Sequence, residues 1–553
     1  MRVRLLPIAL VLTLSASGCT AFFDEPEPAP EKPVGAATTS DPDERLTVLA
    51  DADPVAVAVG MSRTLFDRSA VVVVARDGDR AGTLLAASAA VGLGVPLLLE
   101  PEGGGVADAV AGEVARLGSG TVLTVGQADG ASAGPDGHEV VAVPSDAEAV
   151  AAVTGLAFEP AEPVSSHNDP ATVAALDPAA PVALRLEEPS APPSASTTTA
   201  SVPEVDRADP LVGTVVLATG ESTSTAALAT ARAAGASVFL TSGQTDPRWS
   251  ADAQASLARM QPEAVVAVGA GFGAEDGLDW KVETAVGGRQ LPGGGQVLFP
   301  GRLLVALYGH PGTGALGVLG EQGLSAAVAR ARDHAAPYDP LVDDPVVPAF
   351  EIIATVASSA PGEDGNYSAE ADLEDLRPWV EAAGEAGLYV VLDLQPGRTD
   401  FLTQAQRYQE LLELPHVGLA LDPEWRLGPD GMHLTEIGSV GIDEVNGLIG
   451  WLADLTRERR LPQKLLVLHQ FQLRMIDGRE RLDTSRDELA VMVHADGQGT
   501  QGDKQATWRA LHENPPAGVF WGWKNFYDED APMLTPEQTI AQVHPRPDLI
   551  SYQ

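Results

Sequence analysis

The chain has one cysteine, Cys19, in 553 residues. A lone thiol excludes a disulfide framework and a multi-thiolate metal site. Positive charge is also scarce: 35 Lys and Arg stand against 77 Asp and Glu, for a net charge of −42. A surface this acidic repels nucleic acid and anionic headgroups, so neither is an expected partner. Lysine occurs only at Lys32, Lys281, Lys464, Lys504 and Lys524 while Ala, Gly, Val and Arg abound. That bias fits a GC-rich, actinobacterial genome or adaptation to salt. The apolar run Leu5–Leu14 is too short to span a bilayer. No Gly-X-Ser-X-Gly elbow, HExxH helix or P-loop occurs, and no cofactor is expected.

With 44% hydrophobic residues the chain can bury sizeable cores, and its length suits about two to four domains. Met1-Arg2-Val3-Arg4, the apolar run and Ala16-Ser17-Gly18-Cys19 are the parts of a secretion signal. The Ala-Ser-Gly-Cys ending resembles the bacterial lipoprotein lipobox. That resemblance implies cleavage after Gly18, a diacylglycerol on Cys19, and a protein held outside the cytoplasmic membrane by lipid. An ordinary secretory signal is the alternative. Residues 19–48, rich in Pro and acid, read as a flexible tether. The Pro/Ser/Thr stretch within 151–209 reads as a linker.

Between them lies an internal repeat. The first copy runs Ala70–Asp77, helix Ala81–Gly92, Val95–Leu99, helix Val106–Leu117 and Thr121–Gly126. The second runs Thr214–Gly220, helix Thr223–Ala234, Ser237–Leu240, helix Ala251–Met260 and Ala264–Gly269. β-Branched runs alternating with helices predict small parallel α/β modules over 49–150 and 210–292. The pattern Val55–Phe66, Ala70–Arg76 and Gly94–Leu99 resembles the cell wall-binding repeat (type 2) of Gram-positive surface proteins. The family implies binding to an anionic wall polymer; a scaffold role is the alternative. Where family modules carry Asp-Ala, this chain has Arg80-Ala81-Gly82-Thr83 and Ser222-Thr223-Ser224-Thr225.

From residue 296 to 553 the pattern changes. Leu303–Tyr308, Val346–Thr355, Leu388–Leu394, Val417–Leu421, Leu465–His469, Leu489–His494, Gly518–Trp523 and Leu549–Tyr552 read as strands separated by seven helices, a (β/α)8 barrel-like domain. In such barrels chemistry gathers at the C-terminal ends of the strands. Those ends carry Tyr308, Glu351, Asp393, Asp422, Glu424, Trp425, His469, Gln472, His494, Asp496, Trp523 and Lys524.

In Gly418–Trp425 a buried strand runs into two carboxylates and an indole. It resembles the strand-four motif of several barrel glycoside hydrolases, which implies Glu424 as proton donor. Asp422 would orient Glu424 or raise its pKa by like charge. Asp496 and Asp393 are the candidate partner carboxylates. Glu351, Trp425, His469, Gln472, His494, Trp523 and Lys524 are candidates for substrate binding. The expectation is a lipid-anchored hydrolase acting on a cell-wall polymer or surface glycan. The alternatives are a non-catalytic lipoprotein that binds glycan or a surface protein, and a metal-dependent hydrolase using His469 and His494 with Asp496 or Asp422.

Overall fold

A computed structural model describes residues 35–103, 107–130, 137–165, 168–187, 200–433 and 435–553. Cys19 and the signal segment lie outside the described residues, as does most of the Pro/Ser/Thr linker. Among the described residues no helix is long and apolar enough to cross a membrane.

The N-terminal half holds two four-stranded parallel sheets. We number the strands β1 (Leu46–Leu49), β2 (Val71–Arg76), β3 (Leu97–Glu100), β4 (Thr121–Val125), β5 (Glu139–Val143), β6 (Thr214–Ala218), β7 (Ser237–Leu240) and β8 (Ala264–Val268). The first sheet has the order β3-β2-β4-β5 and the second β7-β6-β8-β1. The runs of Val and Leu form strands buried on both faces, because helices cover both sides of a parallel sheet.

One feature departs from the sequence reading and a second adds to it. Residues 35–48 are not wholly a tether: β1 pairs with β8, Leu46 opposite Val265 and Leu49 opposite Val268, and so completes the second sheet. The segment Pro54–Leu65 is an α-helix, with Asp53 accepting from the backbone of Val55 at its start. It packs on helix Thr225–Ala233 and on β3. Thr230 of that helix bonds both the N–H and the carbonyl of Leu97 in β3. One apolar core therefore runs from Ala37 to Val268 through both units.

The C-terminal half is a closed barrel of parallel strands. They are β9 (Leu303–Gly309), β10 (Val346–Ala357), β11 (Tyr389–Leu394), β12 (Val417–Leu421), β13 (Lys464–Gln470), β14 (Leu489–Ala495), β15 (Phe520–Asn525) and β16 (Leu549–Tyr552). Each pairs with the next, and β16 pairs with β9 to close the ring. Seven helices were expected between the strands, but the link from β13 to β14 carries short 3-10 turns at Leu473–Met475 and Arg479–Arg481 and a two-residue strand, Ile476–Asp477, in place of an α-helix. Gly478 between them takes φ +79°, which stops a helix there.

Strand alternation sorts the side chains. Leu304, Ala306, Val347, Ala349, Tyr389, Val391, Ala420, Leu465, Val467, Ala490, Met492 and Leu549 fill the barrel interior, and Leu291, Leu298 and Phe299 join them. Their neighbours, such as Leu307, Ile352, Leu392, Leu468, Val493, Trp523 and Tyr552, face the helices.

The second unit abuts the barrel through buried charge. Lys281 is 1% exposed and pairs with Glu275 and with Asp487 of the barrel. Arg248 lies over the Trp280 ring at 4.3 Å and Arg457 of the barrel at 5.8 Å.

Candidate active site at the barrel mouth

Continuing the interior alternation two residues past the apolar layer gives one residue per strand. These are Tyr308, Glu351, Asp393, Asp422, His469, His494, Lys524 and Ser551, all buried. Asp496 stands one step beyond His494. A water-filled rim would leave such groups hydrated; here the barrel wall removes the water, so each must find a partner or shed its charge.

His469 is the hub. Its Nε2 lies 2.7 Å from Glu351 Oε1 and its Nδ1 lies 3.1 Å from Asp496 Oδ2. Burial opposes charging of the ring, but Glu351 and Asp496 outweigh it, and the His469 pKa is well above the ordinary value. His469 is thus an imidazolium that donates from both nitrogens. Lys524 Nζ forms an ion pair with Asp496 Oδ1 at 3.0 Å and lies 3.7 Å from the centre of the Tyr308 ring. Burial opposes ionisation of Asp496 and Glu351 as well. Lys524 and His469 overcome it at Asp496, and His469 overcomes it at Glu351, so both carboxyls are held below their usual range. Two cations thus pair with two anions, His469 and Lys524 with Glu351 and Asp496.

The other acids lack such partners. Burial and the charge of Glu351 push Asp393 up to about 6, even though the Tyr308 hydroxyl donates to it at 2.8 Å. Burial and Asp393 raise Asp422 well above its ordinary value. Burial and His469 bring His494 down to about 3, leaving a neutral ring 3.1 Å from Ser551 Oγ. Gly522 makes room for that ring: a Cβ there would sit 2.3 Å from His494 Cδ2. Glu351 Oε2, Asp393 Oδ1 and His494 Nδ1 are buried without a hydrogen-bond partner.

Glu424 overlooks this layer. Asp422 caps the turn Pro423–Trp425 by accepting the Glu424 N–H at 3.3 Å. Burial, then the negative charge of Asp496, raise Glu424 to about 7. Asp422 thus holds the backbone of Glu424, while the like charge that raises the Glu424 carboxyl comes chiefly from Asp496.

The structure brings together Glu424, Asp422, Asp496, Asp393, Glu351, His469, His494 and Lys524. It does not bring in Trp523, which faces outward, donates to Asn525 Oδ1 and packs against Trp508. Lying next to Lys524, it has the opposite parity. Gln472 sits in the loop after β13, bonded to Arg474 and Gln470 rather than to the cluster. Trp425 lies at the rim, edge-on to His433. Ser551 was missed, and Tyr308 was noted only at the rim. Counting in twos from the interior apolar residues would have found both. Beyond the wall of β15 and β16, a separate cavity of about 330 Å³ is lined by His334, Tyr527, Met533, Leu534 and Tyr552 among others.

His469 has both nitrogens committed to carboxylates, which disfavours it as a metal ligand. Among the described residues no group of His, Cys, Asp and Glu is arranged to hold a metal ion.

No protein-family model matches the chain, and no curated protein does. Among solved structures, Cwp6 from Clostridium difficile aligns at 11% identity and a TM-score of 0.30, over 69% of this chain and 63% of that one. The chain thus spans less than two thirds of that protein's length, and a likeness of that size carries no argument about function.

Proposed function

We propose that the protein is a cell-envelope glycan hydrolase, with Glu424 as general acid and Asp496 as its ionised partner. One observation carries this reading: two carboxyls at one mouth are driven apart, Glu424 up to about 7 and Asp496 down. Opposed pKa values assign the roles in acid-assisted glycoside hydrolysis. Glu424 would protonate the glycosidic oxygen. Asp496, anchored by Lys524 and His469, would face the positive charge that develops on the sugar ring.

The two sheet units support a wall-facing role through their resemblance to cell wall-binding repeats, and the lipobox-like Cys19 supports a membrane anchor. The test is turnover on a panel of wall and surface oligosaccharides with wild type, Glu424→Gln and Asp496→Asn. Loss of activity by about two to four orders of magnitude in the first variant fits removal of a general acid. Equal turnover in all three proteins would end the reading, and glycan binding without turnover would favour the non-catalytic lipoprotein. Replacing Cys19 with Ala should release the protein from membranes; unchanged detergent partitioning would end the anchor reading.

A further inference from the structure

Loops after β10, β11 and β12 build one wall beside Glu424. Arg398 stacks on the Tyr367 ring at 4.4 Å. The Tyr367 carbonyl lies 2.9 Å from His433 Nε2, and the His433 ring meets Trp425 at 5.3 Å. The wall is firmly set. Arg398 N–H bonds Asn366 O at 2.7 Å and Leu427 N–H bonds Gly397 O at 2.7 Å. Gly397, at φ +60°, admits no side chain, since a Cβ would sit 2.2 Å from Asn366 O. Tyr367 itself is held at φ +61°, a strained conformation for a bulky residue.

Two polar groups of this wall are unspent. Among the described residues the Arg398 side chain bonds only the carbonyl of Gly431, through Nε and Nη2. No carboxylate pairs with it among the described residues, in a chain that carries −42. His433 must hold its proton on Nε2 to donate to the Tyr367 carbonyl, and its Nδ1 is buried without a partner. The cations inside the mouth, His469 and Lys524, are spent on Glu351 and Asp496, whereas Arg398 stands outside those pairs.

We infer that the wall formed by Arg398, Tyr367, His433 and Trp425 is a subsite for a carboxylate-bearing sugar, so that the substrate is an acidic glycan. Stacking fixes the guanidinium plane and leaves its edge N–H groups for the carboxylate. His433 Nδ1 accepts from a hydroxyl of the same ring, and the Trp425 ring offers an apolar face. This rests on the glycan-hydrolase reading of the mouth.

The test uses full-length Glu424→Gln, so that binding is measured without turnover. Calorimetry would compare a hexuronate oligosaccharide with its carboxyl-reduced form, and an amino sugar carrying a lactyl carboxylate with its amide. At least one acidic probe should bind about ten-fold tighter or more than its neutral twin, as for a charge-assisted hydrogen bond. Added salt should shrink the difference. Arg398→Gln should abolish the preference and Arg398→Lys should keep part of it, with both variants melting as the parent does. If neither acidic probe is preferred, or the preference survives in Arg398→Gln, the inference is wrong. Wild-type turnover of neutral oligosaccharides would overturn it while leaving the hydrolase reading intact; absent turnover with an Arg398-dependent preference would do the reverse.

Discussion

Glu351 and His469 form an ion pair shut off from solvent on both sides, 2.7 Å from Nε2 to Oε1. Such a pair adds little net stability over a well-packed apolar one, but losing one partner strands a charge. Glu351→Ala should therefore cost about 3–5 kcal/mol in denaturant unfolding. An unchanged midpoint would mean that His469 is not charged in the folded state.

The raised carboxyls set a pH dependence. A carboxyl whose folded pKa lies above its unfolded value binds its proton longer in the fold, so stability falls as pH rises between the two. For Glu424 the window runs from 4.5 to about 7. Glu351 and Asp496 act oppositely, and their contribution is lost as pH falls through their depressed folded values. Glu424→Gln should thus flatten the decline toward neutrality and leave the variant about 1–3 kcal/mol more stable than wild type at pH 8, at 1.36 kcal/mol per pKa unit with allowance for partial exposure. Identical stability-versus-pH curves would show that Glu424 titrates normally.

The same proton should appear in catalysis. A general acid must be protonated, so kcat/KM should fall as pH rises through about 7. Glu424→Gln should lack that limb. A limb that persists in the variant would belong to another group.

Gly522→Ala probes the packing of the mouth. The new methyl would drive into the buried His494 ring, whose Cδ2 would be 2.3 Å away. We expect a loss of about 1–3 kcal/mol, typical of overpacking, and a disturbed His494–Ser551 contact. A variant as stable as wild type would show that the ring can move aside.

A barrel fragment should fold alone if it keeps its plug. A start at Gly295 follows the sequence boundary, but Leu291 is 3% exposed and belongs to the barrel interior. A fragment from Arg289 should melt cooperatively, and one from Gly295 should be less stable by about 2–5 kcal/mol, the cost of losing a buried leucine. Equal stability would show that Leu291 contributes no core.

The barrel strands were legible because buried parallel strands read as runs of Val and Leu, and each run ended in a polar residue. Glu424, Asp422 and Asp496 were legible for the same reason. Trp523 misled because its chemistry was weighed without its parity, and Ser551 was passed over because a serine at a strand end looks ordinary. Pairings distant in sequence were not legible: no local pattern says that Leu46–Leu49 joins Val265–Val268. The wall at Arg398 was hidden too, since three separate loops contribute to it.

The position of β1 has a mechanical consequence. In a protein tethered at its N-terminal end, tension travels down the chain and, past the two-residue pairing of Thr38–Thr39 with Phe66–Arg68, meets the short run of hydrogen bonds between Leu46–Leu49 and Val265–Val268. The load enters the second sheet at its edge and passes to the barrel along the chain and across the seam that holds Lys281–Asp487, Arg460–Glu283 and Arg457–Trp280. The barrel mouth is therefore mounted behind a mechanical fuse: peeling β1 would relieve strain before the barrel felt it.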